Sequence, residues 1–523
     1  MSTMPSHISK AMRQLSVPRL TRSSLFVSWI GCVLVVMGFV LSSGMFVHWF
    51  ILPLLACGTL IGADAVDWYR GRFSLLDPAG LLGVLGLHYF FFAPLLHVHW
   101  DQWMGYIMPP PDWRPWLGGM ALINCGGLLL YRLLRGPRDM PRRRASRQPV
   151  WTVSPKKFFP IVSIALVGTA VLQYWVYQKY GGILGYIDTY LQAPIGPGGF
   201  RGMGILFTVS ESFPVIAMMA FSLFAINKRV CQSWTVLSFA MLVYFVLLLL
   251  FGGLRGGRGN TVFQMFWAFG MLHLSVRPMS KKVVGVGVLF LISFMYVYGF
   301  YKESGLQGLV AVQESGSRIE LEKKTGRTIQ GAILGDLARS DVQAFLLYRL
   351  WPAPADYEYT WGRSYVGALA LLIPRGLWPD RPLTKVKEGT ELMFGRGSHQ
   401  IERFEAPNVY GLAGEAMLNY GVVAAPLSFI LLGSAVKCIR RLLVSLDRRD
   451  IRLLLMPFLV ILAVNLLTAD SDNLVFIIVK FGAVPFLVIA AGSSRSFRRR
   501  RHVQFRTPYS SSLNMGTLQP TGR

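Results

Sequence analysis

Residues 235–252 read TVLSFAMLVYFVLLLLFG, a stretch without a single charged side chain. A helix needs roughly 20 mainly apolar residues to cross a bilayer, and the hydrocarbon core admits only helices or closed barrels. Barrel strands are about 10 residues long and alternate in polarity, so this stretch predicts a membrane-spanning helix. Similar stretches recur along the chain and predict twelve spans in all. They are 25–42, 45–62, 79–98, 116–134, 158–178, 206–227, 235–252, 261–276, 283–301, 411–436, 453–469 and 474–491.

The composition and the placement of charge agree with a polytopic membrane protein. Hydrophobic residues make up 53% of the 523-residue chain and the mean hydropathy is +0.44, above the level of soluble domains. Lys and Arg are dense in alternate loops, and those loops carry an excess of positive charge equal to the whole net charge of +27. The positive-inside rule makes them cytoplasmic, together with both termini. This topology accounts for the basic clusters without nucleic acid and sets them against anionic membrane lipid.

The predicted fold is therefore an all-α polytopic membrane protein with one large loop on the outer, periplasmic side. Inside that loop, Thr328–Leu350 repeats apolar residues near helical spacing, and Ser364–Ile373 is an apolar run too short to span. Both predict short helices that lie at the membrane interface. The segments are a basic cytoplasmic N-terminus (1–24), four transmembrane helices (25–134), a basic cytoplasmic linker (135–157), transmembrane helices five to nine (158–301), the large periplasmic loop (302–410), transmembrane helices ten to twelve (411–491) and a basic disordered cytoplasmic tail (492–523).

The first candidate site is the glycine-rich sequence GGLRGGRGN at 252–260, in a short outer loop. It carries Arg255 and Arg258, two positive charges on the side that the topology rule leaves poor in them. Glycine lets a backbone approach a ligand closely, and the guanidinium fork matches phosphate oxygens. The pattern favours binding of a polyanion at the outer membrane surface. The alternative is a charged turn that is solvated by water or lipid phosphate.

The second candidate site is WGRSYVGALALLIPRGLWPDRP at 361–382, within the large loop. It combines an apolar run, rigid prolines, a tryptophan and three arginines. Such a loop can lie at the membrane interface, stack a sugar ring on the tryptophan and hold a pyrophosphate through arginine. Alternatively, its last two arginines only pair with the neighbouring aspartate or with lipid headgroups. The residues that carry this hypothesis are Arg363, Arg375, Trp378, Asp380 and Arg381.

The third candidate is Glu415, in PNVYGLAGEAMLNYGVVAAP at 407–426, which also contains Asn419. An ionisable group at membrane depth is costly and is a functional hypothesis by default. Partial burial would raise its pKa, and a carboxylate that titrates near neutrality suits general-base chemistry. Glu211 in the sixth predicted span is a parallel case, although its two flanking serines could simply satisfy it.

Other signals are weaker or point away from cofactors. Lys480 in the last span could pair with Asp470 or Asp472, or extend to the interface. The sequence has no Walker loop, no HExxH and no GxSxG motif, and the large loop has no cysteine. We therefore expect no metal and no cofactor, and the energy for any reaction must come from the substrate or from a gradient.

The stretch from Trp361 to Arg381, followed by NVYGLAGEAMLNYGVVAAPLSFILLG at 408–433, resembles the C-terminal signature of O-antigen polymerases of the Wzy type. The glycine-arginine-glycine loop at 252–260 is also similar to an outer-loop arginine element of that family. The resemblance implies a GT-C-like, metal-independent glycosyltransferase of the bacterial inner membrane. Such an enzyme joins undecaprenyl-pyrophosphate-linked oligosaccharide units at the periplasmic face to build O-antigen, capsule or exopolysaccharide, with a chain-length regulator protein as a partner.

The resemblance also implies roles for individual residues. The pyrophosphate of the growing chain leaves while a sugar hydroxyl of the incoming unit attacks, so arginines would stabilise the leaving group. Arg255, Arg258, Arg375 and Arg381 are assigned to the pyrophosphate, Glu415 is assigned as base or orienting group, and Trp378 and Tyr410 are assigned to sugar stacking. The further substrate-binding candidates are Arg363, Asp380, Asn419 and Glu211.

Two rival functions remain open at this point. An O-antigen ligase shares the fold type and passes the same donor to the lipid A core, but usually shows an outer-loop histidine. Here the large loop contains only His399. A transporter or flippase for a lipid-linked glycan would be favoured by charged residues in several central spans, and few are present.

Overall fold

The computed structural model describes residues 21–103, 108–137, 150–192, 200, 202–255, 258–311, 328–352, 357–373, 376–395, 397–399, 408–447 and 450–496, and most of these residues are helical. In chain order the elements are α1 (Thr21–Ser42), α2 (Ile51–Tyr69), α3 (Pro78–Trp100), α4 (Arg114–Leu134), β1 (Val150–Val153), α5 (Pro155–Lys179), α6 (Gly182–Gln192), α7 (Gly204–Ile226), α8 (Trp234–Leu250), α9 (Arg258–Met271), α10 (Lys281–Ala311), α11 (Ser340–Leu350), α12 (Arg363–Ala370), α13 (Val386–Phe394), α14 (Gly411–Tyr420), α15 (Ala424–Ser445), α16 (Met456–Thr468), α17 (Ser471–Gly492) and β2 (Ser493–Ser496).

Within the described residues, eight of these helices are long and apolar enough to cross a membrane. They are α1 to α5, α7, α10 and α17, and each matches one of the spans predicted from the sequence. Helices α8 and α16 are apolar but shorter, and α9 continues through a π-helical turn at Leu272–Val276. The chain is thus an all-α, multi-pass membrane protein.

The predicted span 411–436 is not one continuous helix. Helix α14 ends at Tyr420, Gly421 adopts a positive φ of 83°, and α15 begins at Ala424. Ten residues rise about 15 Å, half of what a span needs. Helix α14 and its Glu415 therefore lie outside the spanning helices, and α15 is the longer element that follows.

Close helix contacts depend on small residues, as expected where lipid supplies no hydrophobic drive between helices. A Cβ on Gly127 of α4 would lie 2.4 Å from the ring of Phe429 on α15. A Cβ on Gly83 of α3 would lie 2.4 Å from the backbone nitrogen of Ala65 on α2. These glycines let α1 to α4 and α15 pack as one group with its own apolar core. A second core joins α5, α7, α8, α9 and α17, and α16 contributes to both.

The loops predicted to be cytoplasmic contact one another at one end of the helices. Asp64 pairs with Arg135 at 2.9 Å and with Arg132 at 3.5 Å, and Arg440 donates from Nε to Asp77 at 3.0 Å. In addition, β1 pairs with β2 as an antiparallel two-stranded sheet. Residues 493–496, which the sequence assigned to a disordered tail, therefore form a strand, while 497–523 lie outside the described residues. The pairing holds the linker and the start of the tail on the same side.

Candidate functional site

The described parts of the large loop fold back onto the opposite end of the spanning helices. Helix α11 is buried along most of its length, and it packs between α4 and α14. From α11, the amide of Gln343 donates to the backbone oxygen of Tyr410 at 3.0 Å and to the hydroxyl of Tyr89 at 2.9 Å. The loop is thus fixed to α3 and α14 through buried hydrogen bonds rather than held away from the membrane.

A buried ion pair joins the loop to the start of α17. The ammonium of Lys385 contacts Asp470, and the two side chains are 2% and 0% exposed. Lys385 also lies 3.5 Å from Asp472. Asp470 further accepts the backbone N–H groups of Tyr410 at 3.0 Å and Gly411 at 2.7 Å. Burial alone would lower the pKa of Lys385, but the attraction of both aspartates outweighs it and raises the pKa, so the lysine stays charged.

Glu415 lies beside this ion pair and joins three elements. Its carboxylate accepts hydrogen bonds from the backbone N–H of Ser471 at 2.7 Å, from the Ser471 hydroxyl at 2.6 Å and from the Ser364 hydroxyl at 3.1 Å. Burial, reinforced by the negative charge of Asp470, raises the pKa of Glu415 to about 7, although the bonds from Ser471 oppose the shift. A carboxylate with its oxygens occupied in this way is suited to holding α12, α14 and α17 in register.

An exposed polar surface lies directly over this buried cluster. The guanidinium of Arg363, at the start of α12, is 56% exposed and contacts Glu388 at 2.5 Å. Trp361 is 75% exposed, and its ring lies 6.1 Å from that of Tyr420. Tyr420 in turn stacks on Tyr365 at 6.4 Å. An exposed guanidinium and accessible aromatic rings on neighbouring residues form a surface that can receive an anionic, sugar-bearing ligand.

The same element presents an apolar surface. Helix α12 and the residues after it expose large aliphatic side chains and the half-exposed Trp378, and Arg381 folds back to donate to the carbonyls of Ala370 at 3.0 Å and Ile373 at 2.7 Å. Arg381 therefore satisfies carbonyls at the end of α12. The helix suits an interfacial position with its apolar side against lipid. The exposed aliphatic residues are Val366, Leu369, Leu371, Leu372, Ile373 and Leu377.

A second charged cluster lies between α7, the glycine loop and α17. Glu211 sits at an interruption of α7 and contacts Arg255 on one side and Lys480 at 2.9 Å on the other. Lys480 thus pairs with Glu211, not with Asp470 or Asp472 as the sequence suggested. Two cations and one carboxylate leave a net positive charge in this cluster.

Gly252 in this loop is needed because there is no space for a side chain at its position. A Cβ on Gly252 would lie 2.8 Å from the carboxyl carbon of Glu211, so a larger residue would displace the acid. The guanidinium of Arg255 lies 3.8 Å from the ring centroid of Phe207, a cation–π contact. The hydroxyl of Tyr301 donates to the carbonyl of Leu254 at 2.8 Å. Contacts from α7 and α10 therefore hold Arg255 in place.

The structure separates the sequence-predicted residues into groups. Arg363, Trp378 and Asp380 are exposed on the loop surface, whereas Arg255 and Glu211 lie in the second cluster. Tyr410 is 1% exposed and Asn419 is fully buried, so both support the site from inside instead of presenting a stacking or binding face. Arg375 and the side chain of Arg258 lie outside the described residues, although Arg258 begins α9.

Sequence reasoning missed Lys385 and the exposed rings of Trp361 and Tyr420. Lys385 is one of many basic residues in a polar loop, and its partner lies far along the chain. The sequence did contain a signal for the partner of Lys385, because Asp470 and Asp472 are two acidic residues directly before the predicted span 474–491. Among the described residues, no group of three or more His, Cys, Asp or Glu side chains is placed to hold a metal ion.

The fold and these clusters define a multi-pass, all-α membrane protein whose large loop packs on one end of its helices. No protein-family model, curated protein or solved structure gives a match to the chain.

Proposed function

We propose that this chain is a polymerase of lipid-pyrophosphate-linked oligosaccharide units, of the type that its sequence motifs resemble. In this proposal the chain crosses the bacterial inner membrane about twelve times in a GT-C-like arrangement, with both termini cytoplasmic and the large loop in the periplasm. The product is O-antigen, capsule or exopolysaccharide, and a chain-length regulator is a partner.

The observation that carries the proposal is the surface around Arg363. The exposed guanidinium and the apolar side belong to α12, Trp361 directly precedes that helix, and the ring of Tyr420 at the end of α14 lies beside Trp361. A ligand that suits all three has an anionic headgroup, a sugar and a lipid tail. Undecaprenyl-pyrophosphate-linked glycans combine these parts.

The proposed reaction transfers the growing glycan to the next unit. A sugar hydroxyl of the incoming unit attacks the anomeric carbon of the growing chain, the bond from that carbon to the pyrophosphate oxygen breaks, and undecaprenyl pyrophosphate leaves. The hydroxyl proton passes to a base or to water. Arginines stabilise the negative charge that develops on the leaving group, and the donor supplies the energy.

In this proposal some residues bind the substrate, and others hold the site in place. Arg363 and the sequence-assigned Arg258 and Arg375 bind pyrophosphate, and Trp378 with Trp361 and Tyr420 contacts sugar. Glu415 acts as an orienting group, because its oxygens already accept hydrogen bonds from Ser471 and Ser364. The Arg255–Glu211–Lys480 cluster contributes net positive charge to the outer surface.

The glycan phenotype of cells that lack this chain tests the proposal. Loss of a polymerase leaves lipid A core carrying single repeat units, and the cloned gene restores a ladder of long chains. Long chains that accumulate without attachment to lipid A core would indicate a ligase instead. Accumulation of repeat units at the cytoplasmic face would indicate a flippase, and either result would overturn the proposal.

A further inference from the structure

An apolar groove opens at the end of the protein opposite to the candidate site. It lies between the end of α15, the start of α16 and the end of α17, and its volume is about 600 Å³. Leu446, Leu459, Phe486 and Ala490 line its walls. The volume falls in the ~300–1,000 Å³ range of small-molecule sites, and the outward side of α17 near it is apolar, with Leu487 69% exposed.

The mouth of the groove is positively charged and aromatic. The Trp151 ring of β1 contacts two guanidinium groups, with its centroid 5.5 Å from that of Arg452 and 5.0 Å from that of Arg495. Arg452 is held by Asp450, to which it donates at 2.9 and 2.6 Å. Arg495 on β2 is exposed to solvent. The β1–β2 pairing therefore places an exposed cation and an indole at the polar end of an apolar groove.

We propose that this groove binds one anionic phospholipid of the surrounding bilayer. An acyl chain lies along Leu459 and Phe486, and the phosphate lies at Arg495, beside Trp151. Tryptophan prefers the headgroup level of a bilayer, and basic residues at the cytoplasmic surface attract anionic lipid. Charge complementarity at the mouth favours an anionic lipid over a zwitterionic one, and the apolar walls favour a lipid over free phosphate.

Native mass spectrometry of the purified full-length protein tests this inference with phosphatidylglycerol and phosphatidylcholine as probes. We expect one molecule of phosphatidylglycerol to be retained in preference to phosphatidylcholine, and inorganic phosphate not to displace it. Arg495→Gln should reduce the retention of phosphatidylglycerol about fivefold and leave phosphatidylcholine unchanged. Ala490→Phe should fill the groove and reduce the retention of both lipids.

Two variants serve as matched controls. Arg229→Gln removes an exposed arginine elsewhere on the chain, and Ala491→Phe adds the same bulk to α17 at an exposed position that does not line the groove. Both should retain phosphatidylglycerol like the wild type. Equal retention of the two lipids, displacement by inorganic phosphate, or unchanged retention in Arg495→Gln would overturn the inference, and the Arg495 variant decides if Ala490→Phe fails to fold.

Discussion

Lys385 and Asp470 form an ion pair in which the side chains are 2% and 0% exposed, and this pair fastens the large loop to the start of α17. Asp470 also accepts the first backbone N–H groups of α14. One carboxylate thereby sets the relative positions of three segments around Glu415. The geometry of the candidate site depends on this contact, although neither residue is on its exposed surface.

Breaking the pair from the lysine side should destabilise the protein strongly. Lys385→Met leaves Asp470 buried with an uncompensated charge, which costs about 3–5 kcal/mol in comparable cases. The double variant Lys385→Met/Asp470→Asn should recover part of that loss, because both charges are gone. Thermal unfolding in detergent measures the effect. Lys387→Met, two positions further along, is the control and should change stability by less than about 0.5 kcal/mol.

The titration of Glu415 predicts a pH dependence of stability. Its pKa is raised from 4.5 to about 7 in the folded protein, so between these values the folded state holds a proton that the unfolded state has released. The stability from this group is present below about pH 4.5 and is lost as the pH rises through about 7. Glu415→Gln cannot titrate, so its unfolding midpoint should fall less between about pH 5 and pH 8 than the wild-type midpoint. Parallel pH profiles of the two proteins would contradict the assignment.

Glycan length should depend on the outer arginines. Arg363→Gln removes the exposed guanidinium, and a lost donor to a developing charge lowers rates by roughly 10²–10³. We expect ladders to collapse to short chains, with partial recovery in Arg363→Lys. Arg258→Ala and Arg375→Ala should likewise abolish long chains at unchanged protein level in the membrane. Arg229→Gln is the control, and wild-type ladders from Arg363→Gln would remove that residue from the proposal.

The Arg255–Glu211–Lys480 cluster should respond asymmetrically to substitution. Glu211→Gln leaves two neighbouring cations without their shared partner, whereas Lys480→Met leaves a neutral ion pair. Glu211→Gln should therefore destabilise the folded protein by about 3–5 kcal/mol. It should lower the unfolding temperature more than Lys480→Met does. The double variant should be more stable than Glu211→Gln alone. The reverse order of the single variants would show that Lys480 is not held by Glu211.

Apolar length predicted the eight helices that, among the described residues, are long and apolar enough to cross a membrane, because spanning is a local property of about 20 residues. It failed at 411–436, where a turn at Gly421 divides an apolar run without changing its hydropathy. The same reasoning found Glu211 and Glu415 as costly buried acids. It could not find their partners. Lys480 reaches Glu211, and Ser364 and Ser471 reach Glu415, through tertiary packing that no sequence period encodes.

The surface side chains were predicted less well, for a related reason. Trp378 and Tyr410 were both predicted to stack on sugar, yet Tyr410 is buried and its backbone oxygen accepts a hydrogen bond from Gln343. Trp361 and Tyr420 are neighbours because Asn419 accepts hydrogen bonds from the Thr360 hydroxyl and from the N–H groups of Trp361 and Gly362. Exposure of an aromatic ring is decided by such contacts, not by residue type.

Reconstitution of the purified chain in vesicles tests the central claim most directly. The vesicles would contain undecaprenyl-pyrophosphate-linked repeat units, and glycan length and released undecaprenyl pyrophosphate would be measured together. The proposed polymerase should produce a ladder without added nucleotide, with one undecaprenyl pyrophosphate released for each unit joined, and Arg363→Gln should slow both signals equally. Intact single units and no released carrier lipid, with the protein folded, would contradict the account.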